Sequence, residues 1–281
     1  GAYLGGGLDG LNTVSLAGTQ FFSNTALEWG GGVYASEPAA VTGGLFQNNT
    51  SQWFDGGGVY ATGALGLTGT QFIANTAAGQ GAGVYISGTL TLARGLFKGN
   101  AAASGGGLAH VGSNATVINT LFASNTATLS GTALYLGSSG GAQLYHITIG
   151  SPLSTTGAAV YVSAGSVNVI NSIVVSHTIG LYRTGGTISQ DYNLFFSNLT
   201  NTLGVSVTGG THNVIGEPKF MDVAHDNYHL RAGSPAIDQG MNLGIFIDYD
   251  GDPRPYNSGF DIGFDEYYAA VPRVYLPMIQ R

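Results

Sequence analysis

A motif pair that returns about every 25 residues constrains this chain more than any other feature. The anchor aromatics Phe21, Phe46, Phe72, Phe97 and Phe122 stand 25, 26, 25 and 25 residues apart. Ile149, Val174 and then Phe195 or Phe196 continue the series in degraded form. Asparagine follows each early anchor by three residues, at Asn24, Asn49, Asn75, Asn100 and Asn125, and His177 takes the matching place after Val174. Between anchors comes a glycine block, read at Gly30-Gly31-Gly32-Val33-Tyr34, Gly56-Gly57-Gly58-Val59-Tyr60 and Gly105-Gly106-Gly107-Leu108. Variants stand at Gly81-Ala82-Gly83-Val84-Tyr85, Gly131-Thr132-Ala133-Leu134-Tyr135 and Gly157-Ala158-Ala159-Val160-Tyr161. A fixed period of this size means stacked units, none of which can bury its apolar face alone.

Each unit holds short alternating apolar runs and no stretch of helical period. Val14/Leu16, Leu65/Leu67, Leu90/Leu92 and Val167/Val169 alternate with polar residues, as one-sided strands do. Gly, Asn, Ser and Thr interrupt the runs too often for helices of ordinary length. Three short strands and three turns account for one unit, which predicts an all-β chain wound as a parallel β-helix. Coils are expected over residues 1–190, final coils with a loop-rich cap over 191–268, and an extended apolar tail over 269–281. Three residues before the anchors stand Gly18, Gly43, Gly69, Arg94, Asn119, His146, Asn171 and, if Phe196 is the anchor, Asn193. These types tolerate positive φ, so the column predicts a recurring left-handed bend. The asparagine row predicts side-chain amides chained from coil to coil along the axis. A ligand-binding row is the alternative reading of either column.

The pairing of a GGA-type block with FxxN resembles the repeats of polymorphic outer-membrane proteins and other right-handed parallel β-helix proteins of the pectate-lyase-like superfamily. This resemblance covers about residues 5–200 and implies the fold and its handedness, with little said about activity. From Asp191 the pattern changes, through Asp191-Tyr192-Asn193-Leu194-Phe195, Gly233-Ser234-Pro235-Ala236-Ile237-Asp238 and Asp248-Tyr249-Asp250-Gly251-Asp252-Pro253-Arg254 to Asp261-Ile262-Gly263-Phe264-Asp265-Glu266-Tyr267. This string looks like the C-terminal region of secreted β-helix proteins of the choice-of-anchor Q type, with Phe264 in place of the usual alanine. Its implied role is to finish the last coils and close the apolar end.

Only 8% of the 281 residues are charged, and 8 Lys plus Arg against 15 Asp plus Glu give a net charge of −7. No basic stripe exists, which argues against nucleic acid as a partner. Cysteine is absent, and no apolar run is long enough for a membrane span. Gly5-Gly6-Gly7-Leu8 matches the later glycine blocks, so the chain opens in mid-coil without a signal peptide. Such a chain is expected to be exported, extracellular or at a cell surface, with a leader removed from it. Asn48, Asn49, Asn114 and Asn198 begin N-x-S/T sequons, candidate glycan acceptors in an exported protein.

Chemistry-bearing residues are few. A polysaccharide lyase of this fold needs a base beside stacked carboxylates. Here the lysines are Lys98 and Lys219, the coils between Phe54 and Asp191 hold the single acid Asp55, and no acid is near Arg94 and His146 in sequence. Glu28 and Asp55 precede successive glycine blocks and are flanked by Trp29, Trp53 and Phe54, an arrangement suited either to saccharide contact or to aromatic packing. Asp248, Asp250 and Asp252 have the carboxylate density of a calcium loop, though Gly259 stands where an EF-hand would place glutamate. A metal-free network, with Arg254 paired to Asp238 or Asp261, is the alternative. His225 and His229 are four apart in a loop segment, not at a metal-binding helical spacing. The function expected first is a non-enzymatic structural or adhesive protein that associates head to tail with itself, through Leu4 and Leu8 at one end and the tail residues Val274, Tyr275, Leu276, Met278 and Ile279 at the other. A carbohydrate-binding or carbohydrate-active protein, of lyase or glycosidase type, is the alternative.

Overall fold

A computed structural model describes residues 2–269, so the tail residues Val274 to Ile279 lie outside the described part. The chain winds into a parallel β-solenoid in which each strand pairs with its equivalent one coil away. The glycine-block strands form a nine-stranded sheet, one strand per coil from Leu8–Gly10 to Thr200–Leu203, making about eight turns. A six-stranded sheet runs from Ala2–Leu4 to Thr126–Ser130. The third sheet has sixteen strands in two runs, and the long strands Ala115–Ala123 and Gly141–Gly150 fuse them.

The anchors stack inside. Ring centroids of Phe21, Phe46, Phe72, Phe97 and Phe122 follow one another at 4.8–4.9 Å with near-parallel planes. That distance is the spacing of neighbouring strands, so the sheet itself sets the stack. Ile149 and Val174 continue the column, and Phe195 pairs with Val174. The glycine block has two separate causes. Its first residue takes a left-handed φ, +68° at Gly30 and +71° at Gly56. Its third leaves no room: a Cβ on Gly32 would lie 2.5 Å from the Gly58 carbonyl oxygen and 3.0 Å from the Phe46 ring.

The asparagine row is a buried ladder. Asn75 Nδ2 donates to Asn100 Oδ1 at 2.9 Å and to the Phe46 carbonyl at 2.9 Å, while its Oδ1 accepts from the Asn49 backbone N–H at 3.0 Å. The same pattern links Asn24 to Asn49 and Asn100 to Asn125. Each amide thereby satisfies a turn whose backbone groups would otherwise be orphaned. His177 extends the row: its backbone N–H donates to Asn198 Oδ1, and burial pushes its ring down to about 4.

The predicted bend column is left-handed at Gly18, Gly43, Gly69, Arg94, Asn119, His146 and Asn171. Its last member is Tyr192 (φ 54°), not Asn193, because the shortened coil makes Phe195 the buried anchor and leaves Phe196 exposed. Asn193 instead donates to the Val169 carbonyl from a fully buried position. A second left-handed column, absent from the sequence reading, follows the anchors by two residues at Ser23, Asn48, Ala74, Gly99, Ser124, Ser176 and Ser197.

Beyond Val214–Ile215 the described chain turns away from the last coil. It forms a hairpin of Phe220–Asp222 and Asn227–Leu230, then runs back along the outer face of the anchor strands. Phe220, Tyr228, Leu230, Ala236, Ile262 and Phe264 bury there against Leu96, Leu121, Ala123, Ile173, Val175 and Leu194. At Leu96, Leu121, Ala123, Ile173, Val175 and Leu194 the outer face of these strands is therefore apolar as well, as doubly covered strands require. Among the described residues, Leu199, Val205 and Ile215 on the last coil are 69–83% exposed, and its strands pair on one side only. The described part of the C-terminal segment thus covers the side of the solenoid along the anchor strands.

Candidate functional site

The returning segment lands on the bend column and brings the ionisable residues together. Asn119 Nδ2 donates to the Ile247 carbonyl at 2.7 Å. Asn171 grips Met241 from both sides, accepting its N–H at 2.8 Å and donating to its carbonyl at 2.7 Å. Asn171 also donates to His146 Nε2 at 3.0 Å, and His146 Nδ1 lies 3.3 Å from the Gly263 carbonyl oxygen. Complete burial and the adjacent Arg254 guanidinium hold His146 well below the usual histidine range. At the edges, Lys98 pairs with Asp226 at 3.1 Å, and Ser124 donates to Asp226 at 2.9 Å.

Arg254 is the centre of this lock. It is 2% exposed, donates to the Phe264 carbonyl at 3.0 Å and to the Gly263 carbonyl at 3.3 Å, and touches His146 Nδ1. Its carboxylate partner is Glu266, with Nε to Oε2 at 3.7 Å, an ion pair too long for a hydrogen bond. Asp238 and Asp261, the partners considered from sequence, serve the backbone instead. Asp238 Oδ1 accepts from the Gly259 N–H at 2.8 Å, and Asp261 accepts from the Asp238 and Tyr267 N–H groups, each at 2.7 Å. Glu266 accepts from Tyr256 and Asp261, Asp248 from Asp252 and Glu266, and Asp265 from Leu230. So many buried carboxylates raise one another's proton affinity. Burial first, then the Glu266 charge, pushes Asp261 up to about 8, and burial pushes Asp265 up to about 7. The returning segment brings Arg254 and the backbone of Asp261 and Gly263 to His146. Arg94 Nη1 itself lies over Gly251.

The expected calcium ligands Asp248, Asp250 and Asp252 do converge, one carboxylate oxygen of each lying within 4.8 Å of the others. Asp248 is fully buried, and both its oxygens are taken by backbone N–H groups. A second group, His229, Asp250 and Asp265, meets the same distance condition. Nothing in local spacing could have shown it, since its members come from three separated segments.

The saccharide set is split. Trp29 and Phe54 stack on each other at 5.1 Å and join a row of tyrosines on the outer face, Tyr34 to Tyr60 at 5.4 Å and Tyr60 to Tyr85 at 4.9 Å. Each ring thus has an aromatic neighbour one coil away, while Phe54 remains 44% exposed. Trp53 stands outside the stack, 57% exposed. Asp55 accepts from the Gln80 N–H at 2.6 Å, and burial pushes its carboxyl upward. Glu28 is half-buried. A groove of about 400 Å³ opens beside the C-terminal hairpin, lined by residues that include Phe196, Lys219, Met221 and Arg231.

Of the sequon asparagines, Asn48 and Asn114 are exposed. Asn49 is fully buried with Nδ2 donating to Phe21 and Asn75, and Asn198 Nδ2 donates to the Val174 carbonyl at 2.8 Å. An amide nitrogen committed inside the ladder cannot accept a glycan, so the sequence expectation is corrected at both. Leu8 packs against the core, and Leu4 is half-buried on the first coil. No helix among the described residues is long and apolar enough to cross a membrane. No protein-family model and no curated protein matches this sequence.

Proposed function

We propose that this chain is a non-enzymatic, exported structural or adhesive β-solenoid whose units associate end to end. The supporting observation is the state of the last coil. Among the described residues, Thr200–Leu203, Val207–Gly209 and Val214–Ile215 on the last coil each pair on one side only. Exposed apolar side chains accompany that edge at Leu199, Val205 and Ile215. Parallel strand edges one coil period apart are templates for each other, and the low charge leaves little to repel a second copy. The destinations of the ionisable groups support the non-enzymatic part. Asp55, Asp248, Asp261, Asp265 and Glu266 accept backbone N–H groups within the fold.

The GGA/FxxN repeats and the Asp261-to-Tyr267 string support placing the chain among pectate-lyase-like β-helix proteins with a choice-of-anchor Q type ending, exported to the cell surface or beyond. Light scattering over a concentration series tests the assembly, together with electron microscopy. Particles that lengthen along the solenoid axis, and that shorten to monomers in a Leu199→Lys, Val205→Lys, Ile215→Lys variant, are the expected result. Monomers at every concentration would refute end-to-end association. Turnover of a polyuronate or neutral glycan that is lost on changing Glu28 or Asp55 would replace the scaffold reading with an enzymatic one.

A further inference from the structure

Three separated segments meet where the C-terminal hairpin touches the Asp-rich turn. His229 comes from the strand Asn227–Leu230, Asp250 from the turn at 248–252, and Asp265 from the stretch after Phe264. One ring nitrogen of His229 and one carboxylate oxygen from each acid lie within 4.8 Å of one another. The imidazole is fixed on its far side, where Nδ1 donates to Asn227 Oδ1 at 2.7 Å. That same amide oxygen accepts the His229 backbone N–H at 3.2 Å, which sets its orientation. Nε2 is thereby turned inward, 3.0 Å from Asp250 Oδ2. Such an outer partner on one ring nitrogen is what aligns a metal-ligating histidine. The Phe264 ring supports the imidazole from 5.1 Å.

An independent observation concerns Asp265. It is 3% exposed, and its Oδ2 accepts the Leu230 N–H at 2.7 Å. Its Oδ1 is buried without any hydrogen-bond partner. An orphaned carboxylate oxygen in so acidic a setting is costly unless a cation sits against it.

We propose that His229, Asp250 and Asp265 form a binding site for a first-row divalent cation of the zinc class. One imidazole nitrogen and two carboxylates form a donor set that borderline ions accept, with water completing a tetrahedral shell. Calcium is disfavoured there, because it seeks six to eight oxygens and gains little from imidazole. Asp252 has no part in this set, which separates it from the Asp248-Asp250-Asp252 loop. The bound ion would tie the hairpin, the turn and the end of the returning segment to one point.

The test uses the full chain, stripped with a chelator and dialysed. Zinc, calcium and magnesium are titrated separately by calorimetry, and bound metal is counted by elemental analysis. One zinc per chain is expected, weakened at least roughly tenfold in His229→Gln and in Asp250→Asn, and unchanged in Asp252→Asn. Asp250 lies at the surface and its change leaves the core alone, so that variant stays interpretable if another fails to fold. Cobalt substitution should give the visible spectrum of a mixed nitrogen and oxygen site, lost in His229→Gln. Absence of zinc binding would overturn the proposal and leave a protonated His229 as the counter-ion of both acids. Zinc binding indifferent to His229→Gln would overturn it, as would calcium-only binding that Asp252→Asn abolishes.

Discussion

Replacing Arg254 by methionine should release the C-terminal segment from the solenoid without unfolding the coils. The side chain is almost fully buried and supplies the positive charge among Glu266, Asp248, Asp261 and Asp265. Methionine keeps much of the volume but removes the donors to the Gly263 and Phe264 carbonyls and the ion pair with Glu266. Removing one partner of a buried ion pair costs about 3–5 kcal/mol, chiefly because the other charge is left uncompensated. At about 1.4 kcal/mol per decade this speeds local opening by roughly two to three and a half decades. Amide hydrogen exchange followed by mass spectrometry reads it directly. Protection should fall over residues 227–266, including the Leu230, Ile262 and Gly263 amides that are bonded in the docked state. Amides between coils, such as Val59 to the Gly83 carbonyl, should keep their protection. Unchanged exchange in the segment, or equal loss throughout the coils, would refute the idea that Arg254 is a lock between two separable layers.

Phe72→Ala removes the middle ring of the anchor stack and should cost about 3–5 kcal/mol in denaturant unfolding, since rings at 4.8–4.9 Å on both sides limit collapse of the cavity; a loss below about 1 kcal/mol would contradict the packing. Asn75→Ala orphans the Asn49 N–H and the Phe46 carbonyl, at about 1–3 kcal/mol each, and a neutral result in the same assay would show that water replaces the ladder. The pH dependence follows from Asp261. Its raised affinity means the folded state keeps a proton that the unfolded chain has lost, so its stabilisation is complete below the ordinary aspartate value of about 3.9 and is lost as pH rises through about 8. His146, held low, contributes its full share above about 6.5 and adds no slope in that window. In chelator-containing buffer, protection factors at the Asp238 and Tyr267 amides should therefore decline between pH 6.5 and 9, and constant values would exclude a proton at Asp261.

The repeat period alone determined the coil, the inward anchors, the asparagine ladder and the left-handed bend column, because each depends on residues next to one another or one coil apart. In a solenoid the neighbour in space is the neighbour at fixed spacing, so local chemistry and tertiary contact coincide. Even the register error at Asn193 arose where the period shortens near Phe195 and spacing stops being a guide. The path of residues 216–268 belonged to the tertiary structure. One sequence signal did foreshadow it, the loss of alternation at Leu96-Phe97, Leu121-Phe122-Ala123 and Ile173-Val174-Val175, which marks strands covered on both faces. What covers them is a non-repeating segment, and no period relates it to its target. The meeting of Arg254 with His146, 108 residues apart, and of His229 with Asp250 and Asp265 therefore had no counterpart in spacing. Those contacts form because apolar surface along the anchor strands draws the segment back, and its buried polar groups must then find partners wherever it lands.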